Sequence, residues 1–163
     1  QTIDVTFDTM TYTVGTYTGT LRVKTEDPID DNIDVPVTMH IEAIQYGVEM
    51  VVENDNLSGE PGSVVTYTVW MTNTGNVADG YNIAAGSHNW DIGMPESMDP
   101  MAPGDSHAME VAITIPTDAG DGDSDSVTIT VSSQGDPAET AAITLTTEAI
   151  IEAYLIYLPL VSR

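Results

Sequence analysis

The residues best suited to binding a ligand are three aspartates in one short segment. Asp121, Asp123 and Asp125 alternate along the chain in a D-x-D-x-D pattern. Alternate carboxylates in a turn can converge on a hard cation, and calcium prefers such oxygen ligands. An EF-hand is excluded, because its sixth and twelfth positions require Gly and Glu but hold Ser126 and Ser132. Two interpretations remain, a calcium site and a solvated acidic hairpin tip.

No pattern in the sequence is typical of a catalytic centre. His40, His88 and His107 are scattered singly, without metal-ligand spacing. Ser87, His88 and Asp91 are neighbours in sequence, whereas a catalytic triad requires convergence in space. Nucleophile-elbow, P-loop and dinucleotide-binding motifs are absent from the sequence. We therefore expect that the protein is not an enzyme and needs no cofactor apart from the candidate calcium ion.

Trp70 is a candidate contact for a ligand or partner. It alternates with Val69 and Met71, so it is predicted on the outer face of its strand. An exposed tryptophan can bind a sugar or a protein neighbour. The alternative is a strand-surface aromatic side chain that a loop covers.

The charge of the chain limits the classes of partner. The formal net charge is −23, from 26 acidic residues against three basic ones, Arg22, Lys24 and Arg163. Nucleic acid and anionic membranes both require a basic surface and are therefore poor partners. Plausible partners are divalent cations, cell-surface glycans and other copies of the chain. There is no cysteine and hence no disulfide framework.

Residues 45–148 are predicted to form one complete all-β domain, with its strands between 46 and 148. About seven short runs alternate apolar and polar residues between turn signals such as Pro61-Gly62 and Pro103-Gly104, which is typical of an Ig-like β-sandwich. The predicted inner faces are Val65, Tyr67, Val69 and Met71; Met109, Val111, Ile113 and Ile115; Val127, Ile129 and Val131; and Ala141, Ile143 and Leu145.

Residues 1–44 are predicted to form an incomplete Ig-like β-module. Strand-like runs cover residues 3–7, 17–24 and 33–41, and Pro36 indicates an edge or bulge position in the last of them. Three strands alone bury too little apolar surface for independent stability. The predicted inner faces of the second and third runs are Tyr17, Gly19, Leu21 and Val23, and Val35, Val37, Met39 and Ile41.

Two family resemblances accompany these patterns. The segments Gly15-Thr-Tyr-Thr-Gly-Thr-Leu21 and Val35-Pro-Val-Thr38, with Asp27-Pro28 between them, resemble the second half of Ig-like modules of the ASPM–SPD-2–hydin and BACON type, which occur in large secreted bacterial proteins. Residues 46–148 resemble NEW3/CARDB-like accessory domains of secreted glycosidases, peptidases and surface proteins. That second resemblance rests on Pro61-Gly62, Tyr67-Thr-Val69, Asn73-Thr-Gly-Asn76, Trp90, Pro103-Gly-Asp-Ser106 and Ile115-Pro116. Together they imply an extracellular or cell-surface bacterial protein and no catalysis.

Residues 149–163 contain the most apolar run of the chain. The run is too short to span a bilayer, which needs roughly 20 apolar residues, so no membrane span is expected. It does not alternate with polar residues, which predicts a strand buried on both faces. The predicted sandwich is complete without this segment, which is therefore a candidate donor strand. Its candidate assembly residues are Ile150, Ile151, Leu155, Ile156, Leu158, Leu160 and Val161.

These features lead to three hypotheses. In the first, the chain is a structural subunit of an extracellular filament or surface layer, and its C-terminal strand enters the incomplete N-terminal module of a neighbour. In the second, it is a carbohydrate-binding, cell-wall-binding or spacer module of a larger secreted hydrolase. In the third, it is a fragment whose partner strands were removed. Gln1 opens almost directly into a strand pattern, so we expect the N-terminus to be a processing point in a larger precursor.

Overall fold

The computed structural model describes residues 5–6, 12–24 and 32–152, which form two compact units, Gln1–Ile44 and Gln45–Arg163. The described residues contain eleven β-strands and no helix, which confirms the all-β prediction. In the same residues, no helix has the length and apolarity that a membrane crossing requires.

The first unit contains an antiparallel hairpin. Strand β1 (Gly15–Lys24) pairs with β2 (Asn32–Ile41) over ten residues, from Gly15 opposite Ile41 to Lys24 opposite Asn32. Of the predicted strand at residues 3–7, only Val5 and Thr6 are described, and both are exposed and outside any strand. The other residues of that run lie outside the described part of the chain.

The second unit is a sandwich of two sheets. One sheet has four strands in the order β3 (Val48–Val52), β5 (Val64–Asn73), β9 (Ser106–Thr114) and β7 (Asp91–Gly93). The other has five strands in the order β4 (Asn56–Gly59), β11 (Thr140–Ala149), β10 (Ser124–Ser133), β6 (Asp79–Ala85) and β8 (Ser97–Met101). All pairings are antiparallel except the parallel pairing of β4 with β11.

The core lies between these two sheets, where the alternation predicted it. The predicted inward residues of β5, of β9 with the following Ile115, and of β10 are all buried, and Leu145 of β11 is fully buried. Ala141 and Ile143 near the start of β11 are only partly buried. Trp90 is 8% exposed and belongs to the same cluster. The Ig-like sandwich prediction is therefore confirmed.

The described part of the sandwich contains nine strands. Three short ones, β4, β7 and β8, lack the alternation that predicts a strand. The first strand of the domain is β3, and the chain then crosses to the other sheet and continues as β4. Strand β7 has three residues, and β8 contains Pro100, so neither gives a recognisable period-2 pattern.

Buried polar side chains link the elements of the sandwich. The Tyr67 hydroxyl on β5 donates a 2.6 Å hydrogen bond to the Thr146 carbonyl and lies 2.8 Å from Thr147 Oγ1, which ties the four-stranded sheet to β11. Tyr81 donates to the Gly47 carbonyl at 3.0 Å. Burial, with a further contribution from nearby Asp79, raises the pKa of Tyr81 to about 12. These bonds satisfy polar atoms that burial would otherwise destabilise.

Candidate assembly site

The hairpin of the first unit separates apolar from polar side chains along its paired residues, with Pro36 as the exception. The register places Tyr17 opposite Met39 and Leu21 opposite Val35. Because side chains alternate along a strand, the odd-numbered residues of both strands share one face. That face consists of Gly15, Tyr17, Gly19, Leu21, Val23, Ile33, Val35, Val37, Met39 and Ile41. We call it the hairpin apolar face, and it unites the two inner faces that the sequence predicted.

Much of the hairpin apolar face is open. Leu21 is 36% exposed, Val35 42% and Ile33 51%. A shallow cavity of about 210 Å³ lies over its middle, with Leu21, Val37 and Met39 in its lining. An isolated two-stranded hairpin is at best marginally stable in water. The exposed face therefore offers apolar area that a further strand could bury.

Sequence reasoning missed one residue of this region, Tyr12. Its ring packs edge-on against Tyr17 with 4.7 Å between centroids, and both residues line the cavity. Tyr17 Oη donates a 2.9 Å hydrogen bond to the Thr13 carbonyl, which holds the segment before β1 beside the apolar face. The sequence signal that could have identified Tyr12 is its alternate spacing with Val14 ahead of β1.

The opposite face of the hairpin is polar and carries two cross-strand contacts. Arg22 donates two hydrogen bonds to Asp34, at 2.7 and 2.8 Å, and Thr16 Oγ1 lies 2.9 Å from His40 Nδ1. The bonds from Arg22 hold the pKa of the Asp34 carboxyl below its usual range, against a smaller opposing effect of desolvation. This face is solvated, and among the described residues the apolar face is the one without a cover.

The start of the predicted donor strand is attached to the sandwich. Strand β11 includes Ala149, so the sandwich extends one residue beyond the predicted boundary at 148. Ile150 N donates to the Gly59 carbonyl and Ile151 N to Asp121 Oδ1, both at 2.9 Å. Ile150 and Ile151 are 36% and 53% exposed. The remaining candidates, Leu155, Ile156, Leu158, Leu160 and Val161, lie outside the described residues.

The three aspartates of the candidate calcium site bind separate backbone groups. Asp121 accepts from Ile151 N, Asp123 Oδ2 accepts from Gly120 N at 2.7 Å, and Asp125 accepts from the Asn89–Trp90 segment. In the described part of the chain, no three His, Cys, Asp or Glu side chains form a group that could hold a metal ion. Calcium binding at these residues therefore stays a prediction from spacing, without a converged ligand set.

Asp125 instead fastens the loop that carries the core tryptophan. Its Oδ2 accepts 2.8 Å hydrogen bonds from the amides of Asn89 and Trp90, and its Oδ1 accepts from Asn89 Nδ2 at 3.1 Å. Burial alone would raise the pKa of Asp125, but the hydrogen bonds from Trp90, Asn89 and Ser126 outweigh it and place that pKa below its ordinary value.

Trp70 lies where alternation placed it, on the outer face of the four-stranded sheet, and it is 51% exposed. The register aligns it with Val51 of β3 and Ala108 of β9. Val51 is 53% exposed and Ala108 is also exposed, so the three residues form a small open apolar row. Glu53, just beyond β3, and Glu110 of β9 flank this row.

Comparison with known proteins gives no family for the chain. No family model matches it, and no curated protein matches it significantly. The resemblances to the ASPM–SPD-2–hydin, BACON and NEW3/CARDB-like modules therefore stay predictions.

Several solved structures match the chain at low similarity. They include the ASH/PapD-like domain 7 of human CEP192, at 15% identity and a TM-score of 0.49 over 66% of this chain and 87% of that domain. Domains 4 and 5 of the S-layer protein SbsC match at 16% identity and a TM-score of 0.47, over 83% of this chain and 58% of that one. A family 123 glycoside hydrolase from Clostridium perfringens matches at 9% identity and a TM-score of 0.48, over 63% of this chain and 27% of the enzyme. At these values the comparisons carry no argument about fold or activity.

Proposed function

We propose that this protein is a structural subunit of an extracellular bacterial filament or surface layer. Its copies join by β-strand addition, in which the C-terminal segment of one copy pairs with an edge of the hairpin of the next and extends the hairpin apolar face. The observation that carries this proposal is that face: two fully paired strands with one side entirely apolar and its middle open to solvent. No catalytic step is assigned to the chain.

The C-terminal segment has the composition that such a joint requires. Residues 153–161, Ala-Tyr-Leu-Ile-Tyr-Leu-Pro-Leu-Val, contain no charged side chain. Either alternation of the segment presents at least three large aliphatic or aromatic residues to one side, so its exact register matters little for burial. Three buried side chains of this kind contribute about 5–9 kcal/mol, which is comparable with the free-energy cost of association.

A joint of this type explains how strongly acidic copies can associate. At a net charge of −23 two copies repel each other, and basic residues are too few for an interface built on ion pairs. Apolar burial and backbone hydrogen bonds do not depend on charged partners. A head-to-tail contact that does not close on itself continues as a fibre.

Electron microscopy of the purified protein tests the proposal. The full chain is expected to form fibres or sheets, and a chain that ends at Glu152 is expected to stay monomeric. This truncation keeps the hydrogen bonds of Ile150 and Ile151 and therefore spares the sandwich. A full-length variant with Leu155→Ser, Leu158→Ser and Leu160→Ser serves as a length-matched control and should also lose the fibres. Monodisperse monomers of the unaltered full chain would refute the proposal.

The exposed row around Trp70 favours a second candidate function, a non-catalytic accessory module of a secreted hydrolase that binds polysaccharide or the cell wall. An exposed tryptophan on an open sheet face is suited to contact a sugar ring or a protein surface. Loss of polysaccharide pull-down on Trp70→Ala, in a protein that forms no polymer, would favour this function over the first.

A further inference from the structure

We propose that the incoming strand adds to the free edge of β1 and not to the free edge of β2. This inference rests on the proposed function and specifies its contact: the edge of Gly15–Lys24 receives residues 153–161 of a second copy. Within the described residues each hairpin strand is paired on one side only, so both edges are candidates. The backbone of the hairpin distinguishes between them.

Pro36 indicates the phase of the hairpin hydrogen bonds, that is, whether the odd-numbered or the even-numbered residues bond the partner strand. In an antiparallel pair, opposed residues alternate between those that bond each other and those whose N–H and C=O point away from the partner strand. Pro36 is opposite Thr20 and has no N–H, so it fits the second class, with its nitrogen toward the outer edge.

The phase rests on Pro36, and the cross-strand side-chain hydrogen bonds agree with it. Residues that do not bond each other through the backbone have closer Cα atoms and closer side chains. Thr16 with His40 and Arg22 with Asp34 are the hairpin pairs joined by side-chain hydrogen bonds, and both stand an even number of residues from the Thr20–Pro36 pair. The outward amides are therefore those of the even-numbered residues on both strands.

The two edges then differ in one respect that matters for strand addition. The β1 edge presents a continuous series of outward donors, among them the amides of Thr18 and Thr20. The β2 edge is interrupted at Pro36, in the middle of the series between Asp34 and Thr38. A proline on an edge is a common way to prevent pairing with another strand. The intact edge is the one that can form a full ladder.

The lengths of the two strands agree with this assignment. Residues 153–161 span about 30 Å when extended, and the ten residues of β1 span about 33 Å. Ile150 and Ile151 are hydrogen-bonded within their own unit. Residues 153–161 are therefore the part of the C-terminal segment that we assign to the partner. Pro159 falls near the end of that segment, where a missing donor interrupts the ladder least.

A matched pair of substitutions tests the choice of edge. Thr18 and Thr38 stand opposite each other and are both exposed. Thr18→Pro removes an outward amide from the β1 edge, and Thr38→Pro removes one from the β2 edge, while the bonds between β1 and β2 remain. We expect Thr18→Pro to abolish the fibres seen by electron microscopy and Thr38→Pro to leave them. The reverse result, or an equal effect of both substitutions, would overturn the inference.

Hydrogen exchange gives a second readout that does not depend on how the two proline variants fold. Relative to the chain that ends at Glu152, the assembled full chain should protect the amides of Thr18 and Thr20 and leave that of Thr38 unchanged. Protection of Thr38 alone would contradict the edge assignment although fibres form. Protection of Thr18 in a monomeric full chain would show that the strand pairs within one copy and would contradict the inference. A full chain that never assembles would refute the proposed function.

Discussion

At the scale of single residues, the hydrogen bonds of Asp125 change the interpretation that its sequence spacing suggests. Its spacing from Asp121 and Asp123 predicts a cation ligand, but its oxygens accept hydrogen bonds from Asn89 and Trp90, 36 and 35 residues away in sequence. Sequence spacing cannot reveal such partners, because they meet only when β10 and the loop before β7 pack together. The same bonds connect the carboxylate to the position of Trp90 in the core.

Asp125 should contribute to stability in a pH-dependent way. Its pKa is lower in the folded protein than its ordinary value of 3.8, so its contribution is present above about pH 4 and is lost as the pH falls through the folded value. We expect Asp125→Asn to destabilise the sandwich by about 1–2 kcal/mol at pH 7 and by less at pH 3, since a charge-assisted acceptor is replaced by a neutral one.

Thermal unfolding at both pH values, followed by Trp90 fluorescence in a Trp70→Phe background, measures this difference. Asp99→Asn provides the control, because Asp99 is exposed on β8 and its side chain makes no hydrogen bond among the described residues. An Asp125→Asn deficit that stays constant from pH 7 to pH 3 would contradict the assigned role.

At the scale of elements, the hairpin apolar face should matter for association and not for the sandwich. Val35 is 42% exposed on the hairpin, and Val64 is 59% exposed on β5 of the sandwich. Val35→Thr and Val64→Thr make the same nearly isosteric change in the two units. Burying the new hydroxyl without a partner costs about 1–3 kcal/mol, so Val35→Thr should raise the protein concentration needed for assembly about tenfold.

Sedimentation across a concentration series measures that threshold. Val64→Thr is expected to leave it unchanged, and neither substitution should alter the melting of the sandwich. An equal shift for both variants would mean that general surface hydrophobicity drives association, and no shift for Val35→Thr would mean that the hairpin apolar face stays uncovered.

The sequence predicted those elements whose side chains alternate over many residues. The inner faces of β5, β9 and β10 follow directly from period-2 patterns, as do both strands of the hairpin. Strands β4, β7 and β8 were not predicted, because they are short or interrupted by proline and are stabilised by pairing with distant strands. The open face of the hairpin could be inferred from the sequence, but its hydrogen-bond phase required the register.

At the scale of the whole molecule, the chain combines a sandwich that has its own core with a hairpin whose apolar face has no cover among the described residues. The sandwich closes its own core and holds the chain as far as Ile151 through backbone and Asp121 contacts. The hairpin buries little by itself and presents one open face and one unbroken edge. In the proposed assembly, specific association depends on the hairpin apolar face and the β1 edge, because the acidic charge opposes contact between copies.

The absence of cysteine makes the central claim directly measurable by cross-linking. A protein carrying Val35→Cys is mixed with a separately prepared protein carrying Leu158→Cys, and a short thiol-reactive cross-linker is added. If the C-terminal segment of one copy pairs with the hairpin of another, the mixture should give a covalent dimer that contains one of each variant. That product should disappear when Val64→Cys replaces Val35→Cys. Equal cross-linking at Val35 and Val64, or none at Val35 in assembled material, would contradict strand addition at the hairpin.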